Sequence, residues 1–416
     1  MSTAPGFRRV EDVFREQAAR QERGGLAFAA TVDGEPVADL VAGDARPGEP
    51  WTHDTRAVVM SVAKGWSSMC LQVLFDRGLV RPEMRVTDLW PEFGTAGKAT
   101  TTVDHILDHS AGVLGVPDVG SLVQWDGGGW ADLDAITARL AAAAPRWEPG
   151  ARHGYHAVTF GWLVGELVRR ADPAHRTLGR FFREEIAEPL GIRSAIGVPR
   201  AEQGDIALVV AGAPLVDNKL LRPLLARGPA QMRDPSTLLG QAFLGDGTRS
   251  IMDSVDDLMV DGRFLEAEVP SSNGVSSAAD LARLYAVLAC GGTLDGHRIL
   301  TPASMDAFLA PRPPVTDEVM ASISDAPLLG RLLRRMATIT RTVGGYQLNQ
   351  KLLGKRAFGP NPLAVGNGGA GGQLAFADPA ARVSGAFVRS ALSPNNKTLE
   401  ALVHVLYECV GAGAPR

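Results

Sequence analysis

Strand-like segments lie at the two ends of this chain and helix-like segments fill the middle, and no other property of the sequence restricts the possible folds so strongly. Residues 25–32 and 36–42 are extended and apolar, and they flank Asp33-Gly34, a dipeptide that two-residue hairpin turns prefer. Further extended segments follow only late in the chain, at residues 342–348, 373–377 and 383–388. We therefore expect both chain ends to meet in one antiparallel sheet.

Helical periodicity marks the rest of the chain. Amphipathic segments at residues 8–23 and 399–410 would cover the sheet. The other predicted helices span residues 66–79, 102–109, 133–144, 160–170, 178–186, 278–289 and 305–309. The predicted class is therefore α+β, with an antiparallel sheet flanked by N- and C-terminal helices and a largely helical inserted domain.

The same pattern predicts the domain organisation. Residues 1–75 and 275–416 would form the sheet domain, and residues 76–274 a mainly helical domain that carries active-site loops. Residues 200–265 have weak periodicity and many Pro and Gly, so loops and short helices that form a lid or wall are expected there.

Composition excludes several classes of function. The 416 residues are 45% hydrophobic and 21% charged, which is ordinary for a globular protein with a sizeable core. The net charge is −4, with Lys and Arg scattered along the chain, so neither nucleic acid nor an anionic membrane is an expected partner. No run of 18 apolar residues and no apolar N-terminal segment predicts a membrane span or a secretory signal.

The cysteines point to the compartment. Cys70, Cys290 and Cys409 are far apart and odd in number, so they form no disulfide or metal-binding pattern. They are compatible with a reducing environment, and a cytoplasmic location is expected.

The first candidates for chemistry are Ser61 and Lys64, in the sequence Ser-Val-Ala-Lys at the start of a predicted helix. A spacing of three places both side chains on one helix face. The amine can then take the hydroxyl proton, and the helix N-terminus favours developing negative charge. The motif is short enough to arise by chance, so it needs support from other residues.

Tyr155 is the second candidate. It lies on a loop rich in Gly and His, just before a predicted helix. Beside Lys64 the pKa of its phenol would fall, which would suit a proton shuttle for a serine. The alternative is an ordinary packed tyrosine with a capped hydroxyl.

The glycine-rich stretch at residues 366–372 is the third candidate. It contains G-x-G-x-x-G, but it leads into a strand-like segment instead of a helix, so it does not predict a nucleotide site. Glycines before a strand let backbone N–H groups approach a ligand, as in an oxyanion hole. A bulged or edge strand with tight turns is the structural alternative. No cofactor is expected.

Other catalytic patterns are missing from the sequence. There is no G-x-S-x-G and no H-E-x-x-H, and His153 and His156 have no acidic or cysteine companion nearby, so no metal site is predicted. His105 and His109 lie at helical spacing and are expected to cap or pack.

Taken together, these segments resemble the serine β-lactamase-like superfamily, in the branch of class C β-lactamases and carboxylesterases, with a penicillin-binding-protein-like fold. Ser61 to Lys64 looks like the S-x-x-K motif of that family, and Tyr155 stands where its Y-x-[NS] motif begins. Residues 106–112 resemble its L-L-x-H-[ST]-[SA]-G stretch, and residues 273–283 a helix start. Asn367-Gly368-Gly369 lies where K-T-G or H-x-G is expected.

The resemblance implies a serine nucleophile and an acyl-enzyme intermediate. Ser61 would attack, Lys64 and Tyr155 would transfer protons, and the backbone N–H groups of Ser61 and Ala370 would form the oxyanion hole. Substrate contacts are expected from Asn367, Gly368, Gly369, Trp125 and His156.

Two departures from the family pattern affect the expected activity. Ala157 replaces a polar side chain that holds the substrate amide in β-lactamases, and Asn367 replaces the Lys or His of the third motif. Both argue against efficient β-lactam hydrolysis. The leading hypothesis is a serine esterase that acts on small or medium acyl esters.

Two alternatives remain open at this level. An acyltransferase or amide-forming enzyme of the same fold would pass the acyl group to an alcohol or amine instead of water. A non-catalytic scaffold is disfavoured because Ser61, Lys64 and Tyr155 are all present. The expected partner is a small acyl substrate, and the sequence does not predict an oligomeric state.

Overall fold

A computed structural model describes residues 2–21, 23–210, 228–323, 334–351, 354–393 and 396–413. The strands are β1 (Ser2–Thr3), β2 (Gly25–Val32), β3 (Glu35–Arg46), β4 (Glu49–Pro50), β5 (Ala57–Val58), β6 (Val275–Ser276), β7 (Thr293–Leu294), β8 (His297–Arg298), β9 (Val315–Thr316), β10 (Thr338–Ile339), β11 (Gln347–Leu348), β12 (Val365–Gly369), β13 (Gln373–Asp378) and β14 (Val383–Arg389). The helices are α1 (Arg8–Ala18), α2 (Ala63–Asp76), α3 (Val86–Leu89), α4 (Val103–Leu107), α5 (Leu133–Ala142), α6 (Thr159–Ala171), α7 (Leu178–Phe182), α8 (Glu188–Leu190), α9 (Gly228–Arg233), α10 (Leu238–Ala242), α11 (Val255–Val260), α12 (Arg263–Glu266), α13 (Ala278–Ala289), α14 (Pro302–Leu309), α15 (Glu318–Ala321) and α16 (Lys397–Gly413).

The main sheet joins the two ends of the chain, as the sequence predicts. Its strand order is β1-β3-β2-β14-β13-β12-β11, with β4 paired to β3, and neighbouring strands are antiparallel. The central pair places β14 beside β2, with Ala386 opposite Ala29. The β2–β3 hairpin turns at Asp33 and Gly34, whose φ angles of 54° and 86° lie in the left-handed region that such turns require.

Helices cover both faces of this sheet. On one face, α1 and α16 pack together through an apolar cluster that includes Val10, Phe14, Leu402 and Leu406. On the other face, α13 packs on β2, β13 and β14. The predicted α+β architecture is confirmed, whereas the division of the chain at residues 75 and 275 stays a prediction.

Several predicted elements have different bounds. The helix expected at 178–186 stops as an α-helix at Phe182 and continues as a π-helical turn, Arg183–Ala187. The irregular turn lies just before Pro189, whose ring and missing N–H are incompatible with a regular helical hydrogen bond. In the strand expected at 342–348, only Gln347–Leu348 is a strand of the main sheet, because the chain turns at Gly345 (φ 85°).

The lid or wall expected at residues 200–265 is seen in part. Its described portion contains α9 to α12, which are four to six residues long. Residues 211–227 lie outside the described residues. Across the portions of the chain that the structure describes, no helix combines the length and apolar character needed to cross a membrane.

Candidate active site

Ser61 lies at a strained turn between a short strand and the central helix. Strand β5 leads into a 3₁₀ turn, Met60–Val62, and α2 begins at Ala63. Met60 has a φ of 51°, which is uncommon for a residue with a side chain. Such strain persists only where surrounding contacts enforce it, and it is frequent at functional sites.

Lys64 contacts Ser61 directly, as the helical spacing predicts. Its Nζ lies 3.0 Å from Ser61 Oγ, and it donates to the carbonyl oxygens of Ala157 at 2.6 Å and Ser271 at 3.1 Å. The side chain is buried, and this burial, together with the charge of Arg341, holds the pKa of Lys64 well below its usual value. A neutral amine has two hydrogens, and the two carbonyls take both of them. The lone pair of Lys64 would therefore face Ser61 Oγ.

Tyr155 contacts the same oxygen from another direction. Its hydroxyl donates to Ser61 Oγ at 2.7 Å, and its ring lies 4.8 Å from Lys64 Nζ. Burial raises the pKa of Tyr155 to about 12, and the hydrogen bond to Ser61 and the charge of Arg341 offset only part of that effect. The expectation that its pKa falls is therefore wrong, because desolvation outweighs the nearby positive charge. At neutral pH the phenol keeps its proton.

The loop that carries Tyr155 is fixed by two side chains from distant segments. Asp317 Oδ1 accepts the Tyr155 backbone N–H at 3.0 Å. His109 accepts the N–H of Gly154 with its carbonyl at 3.0 Å and the N–H of His156 with Nδ1 at 3.1 Å. Burial holds the pKa of His109 well below its usual value, so Nδ1 is available as an acceptor. The prediction that His109 packs is confirmed.

His105 has the structural role that its spacing predicts. It forms a capping box with Thr102 at the start of α4, in which each residue accepts the other's backbone N–H at 3.3 Å. This arrangement satisfies two N–H groups that the helix itself leaves without partners.

Strand β12 comes close to the turn that presents Ser61. A Cβ atom added to Gly369 would lie 2.5 Å from the carbonyl oxygen of Val59 and 3.2 Å from the Cβ of Met60. Only glycine permits this approach. It places the next residue, Ala370, beside Ser61, and both residues line one cavity.

This cavity has a volume of about 50 Å³. Ser61 and Ser272 contribute polar side chains to its lining, and Ala157 and Ala370 also line it. Residues 243–264 supply most of the remaining lining, which is apolar: Phe243, Ile251, Met252, Val255, Leu258, Met259 and Phe264. The wall expected from residues 200–265 thus lies next to the candidate nucleophile.

Three predicted substrate contacts are not placed at this cavity. Asn367 is 6% exposed, and its Oδ1 accepts the hydroxyl of Tyr285 at 2.9 Å, so its side chain belongs to the packing around α2. Trp125 donates from Nε1 to Asp246 at 2.8 Å and does not line the cavity. His156 is 1% exposed, with Nδ1 2.7 Å from the carbonyl of Gly154.

Whether these three side chains contact substrate stays a prediction, but none of them lines this cavity. Spacing along the chain placed the three side chains near the motifs, but their directions depend on contacts with distant residues. Gly368 and Gly369 lie half-buried on β12, near the cleft.

Sequence reasoning missed three residues around the site. Ser271 holds Lys64 through its carbonyl, Asp317 fixes Tyr155, and Arg341 acts on both Lys64 and Tyr155 through its charge. Ser271 could have been noticed because it lies just before the motif at residues 273–283. Asp317 and Arg341 gave no local signal.

The fold and the motifs define the family. Residues 10–406 match the Beta-lactamase family, and the chain belongs to it. The predicted superfamily is therefore confirmed.

Similar proteins have been described as esterases and as a penicillin-binding-protein homologue. Esterase/beta-lactamase LipL of Mycobacterium tuberculosis (strain ATCC 25618 / H37Rv) is 34% identical over 303 residues, which are 71% of this chain and 66% of LipL, just under two thirds of that relative. The crystal structure of a family VIII carboxylesterase has a TM-score of 0.81 at 30% identity and covers 98% of this chain and 99% of its own. A penicillin-binding protein homologue from Caulobacter crescentus has a TM-score of 0.77 at 31% identity, with coverage of 98% and 99%.

Proposed function

We propose that this protein is a serine ester hydrolase that forms an acyl-enzyme on Ser61. The observation that carries the proposal is the position of Ser61 Oγ, which lies 3.0 Å from Lys64 Nζ and 2.7 Å from the Tyr155 hydroxyl. Ser61 also lines a largely apolar cavity. A base, a proton donor and a nucleophile within hydrogen-bond distance are the parts that acyl transfer needs. The names of LipL and of the family VIII carboxylesterase support the same reaction class.

Acylation begins with neutral Lys64. Its amine takes the Ser61 proton as Oγ attacks the ester carbonyl carbon, and the backbone N–H groups of Ser61 and Ala370 stabilise the oxyanion that forms. When the ester C–O bond breaks, Tyr155 donates its proton to the departing alkoxide oxygen. The ammonium of Lys64 then gives one proton back to the Tyr155 phenolate, which restores both groups for the second half-reaction.

Deacylation repeats these steps with water. Lys64 accepts one proton from water as the water oxygen attacks the acyl carbon. When the bond from the acyl carbon to Ser61 Oγ breaks, Tyr155 donates its proton to Oγ, and the ammonium of Lys64 then restores the proton of Tyr155. The free carboxylic acid is released. Because the phenol and the amine exchange one proton in both half-reactions, no further acid or base is needed.

The cavity beside Ser61 defines the expected acyl group. A volume of about 50 Å³ is small beside the roughly 300–1,000 Å³ of typical ligand pockets. Most of its lining is apolar. A charged acyl group would therefore lose its hydration there without gaining a hydrogen bond or an ion pair. A short, uncharged acyl chain is the best fit.

β-Lactam hydrolysis should be slow in this protein. Asn367 brings no positive charge to the third motif, and its amide oxygen accepts a hydrogen bond from the Tyr285 hydroxyl. Ala157 offers a methyl group where a β-lactamase holds the substrate amide.

We also propose that the enzyme acts in the cytoplasm, which is supported by its three unpaired cysteines, Cys70, Cys290 and Cys409.

Initial rates on nitrophenyl acetate, butyrate and octanoate, beside a chromogenic cephalosporin, test the proposal. We expect the rate to fall as the chain lengthens, with little cephalosporin cleavage and no ester turnover by Ser61→Ala. The near-ultraviolet circular dichroism of Ser61→Ala should match wild type, which separates lost chemistry from lost fold.

Two results would count against the proposal that Ser61 forms an acyl-enzyme that water hydrolyses. Ester turnover that survives Ser61→Ala would exclude Ser61 as the nucleophile. One equivalent of nitrophenol released in a burst, with no further turnover, would show acylation without hydrolysis. Added alcohols or amines that restore turnover would then establish an acyltransferase.

A further inference from the structure

Arg341 is a buried cation that is incompletely hydrogen-bonded within the part of the chain that the structure describes. The residue is 5% exposed, and its Nη1 has no hydrogen-bond partner. Asp317 and Asp108 interact with the guanidinium through their charge alone, without a hydrogen bond. A buried charge is normally paired and hydrogen-bonded, because removing it from water costs several kcal/mol. An arginine left in this state therefore needs an explanation.

Its backbone places it between the elements that carry Lys64 and Tyr155. The Arg341 carbonyl accepts the N–H of Arg312 at 2.8 Å, and the chain then turns so that the hydroxyl of Tyr346 donates to the carbonyl of Gly65 on α2 at 3.1 Å. The guanidinium also interacts through its charge with Asp317, which accepts the Tyr155 backbone N–H. The Arg341 segment is thus tied to the helix that carries Lys64 and lies close to the carboxylate that holds Tyr155.

The positive charge near Lys64 lowers the pKa of its amine. Arg341 is the charged group whose field lowers the pKa of Lys64, beyond the effect of burial. His109 and His156 also face the cluster, and burial lowers the pKa of each of them, to about 4 for His156, so both are neutral at pH 7. The carboxylate of Asp317 interacts through its charge with Arg341 and Tyr155, and that of Asp108 interacts with Arg341.

We propose that Arg341 is a positioning residue that supplies the buried positive charge of the Ser61 centre, in place of the basic side chain that the third motif lacks at position 367. The proposal rests on the proposed function, because it assigns a role in the same acylation step. A fixed cation beside Lys64 disfavours a second positive charge, so the amine stays neutral and able to accept a proton. The same cation stabilises negative charge that develops on Tyr155 as its proton leaves.

The incomplete hydrogen bonding of Arg341 distinguishes this role from a structural one. Replacing a buried ion by an apolar residue of similar volume is often neutral or stabilising, provided that the ion made no essential hydrogen bond. If Arg341 serves the reaction, Arg341→Met should fold with an unchanged or higher melting temperature and lose activity. If Arg341 holds the fold together, the same change should lower the melting temperature.

The test is the pH dependence of Ser61 reaction with a neutral nitrophenyl phosphonate, followed by nitrophenol release. This reaction reports the nucleophile without requiring hydrolysis. In wild type the rate constant should rise with pH as Lys64 loses its proton. In Arg341→Met the pKa of Lys64 rises, so the midpoint should move upward by on the order of one pH unit. At a pH well below the midpoint, the rate constant should then fall about tenfold. Arg341→Lys, which keeps a cation, should restore most of the rate.

Arg312 provides the matched control. Its backbone N–H donates to the Arg341 carbonyl from the neighbouring segment. Its guanidinium is paired with Asp104. Arg312→Met removes an equal charge and breaks that pair, so it should lower the melting temperature without moving the midpoint.

Each outcome decides the proposal. A folded Arg341→Met with the wild-type midpoint would overturn it, and so would a marked loss of stability, which would make Arg341 structural. A wild-type protein that does not react with the phosphonate would instead contradict the proposed function. An upward shift in Arg341→Met and none in Arg312→Met would establish the role.

Discussion

At the scale of single residues, burial divides the chemistry between Lys64 and Tyr155. Desolvation disfavours the charged form of each group, so it lowers the pKa of the amine and raises that of the phenol. Lys64 is therefore the group that can accept a proton at neutral pH, and Tyr155 is the group that can donate one. Ser61 lies within hydrogen-bond distance of both.

Tyr155→Phe tests this division. The ring can keep its place beside His109, whose ring centroid lies 5.5 Å away, so the fold should persist. The loss of proton donation should lower kcat/KM for a nitrophenyl ester by about 10²- to 10⁴-fold, the usual contribution of a positioned acid or base. Steady-state rates at pH 7 measure the effect, and a change of less than threefold would remove Tyr155 from the mechanism.

At the scale of secondary-structure elements, β12 determines whether an oxyanion hole can form. It is antiparallel to β13 along its full length, with Gly369 opposite Gln373. The strand then passes so close to Val59 and Met60 that position 369 has no room for a side chain. Because Ala370 follows directly, a small shift of this strand would move the N–H that is proposed to stabilise the oxyanion.

Gly369→Ala should therefore act mainly on kcat. The new methyl group must push β12 away from the Ser61 turn, and loss of one oxyanion-hole donor typically lowers kcat by about 10²- to 10³-fold. Gly368→Ala is the matched comparison, since a Cβ there meets no atom within 4 Å and leaves the strand in place. Steady-state kinetics of both variants on nitrophenyl acetate should separate them, and equal losses of kcat would contradict this reading of β12.

The elements that the sequence predicts well are those whose ends are decided locally. Helix α13 has the predicted bounds because Ser277 caps it, accepting the Asp280 N–H at 3.0 Å, and glycines follow its last turn. The β2–β3 hairpin follows from its turn dipeptide. In contrast, α1 ends at Ala18 instead of Arg23.

At the scale of the whole molecule, the site is assembled from parts that are far apart in the chain. Lys64 is held by the carbonyls of Ala157 and Ser271, and the helix that carries it contacts Tyr346. Motifs in the right order were enough to predict Ser61, Lys64 and Tyr155 as neighbours. They could not predict that Asn367 turns towards Tyr285 or that Arg341 lies near the cluster, because those directions depend on contacts between residues far apart in the chain.

The measurement that tests the central claim most directly is the site of covalent labelling. Wild type and Ser61→Ala would each be treated with the neutral nitrophenyl phosphonate, which forms a stable O–P bond to the nucleophile as nitrophenolate leaves. Intact mass and peptide mapping should show one adduct per chain, on the peptide that contains Ser61, and no adduct on Ser61→Ala. An adduct on another residue, or one that persists in Ser61→Ala, would contradict the assignment of Ser61 as the nucleophile.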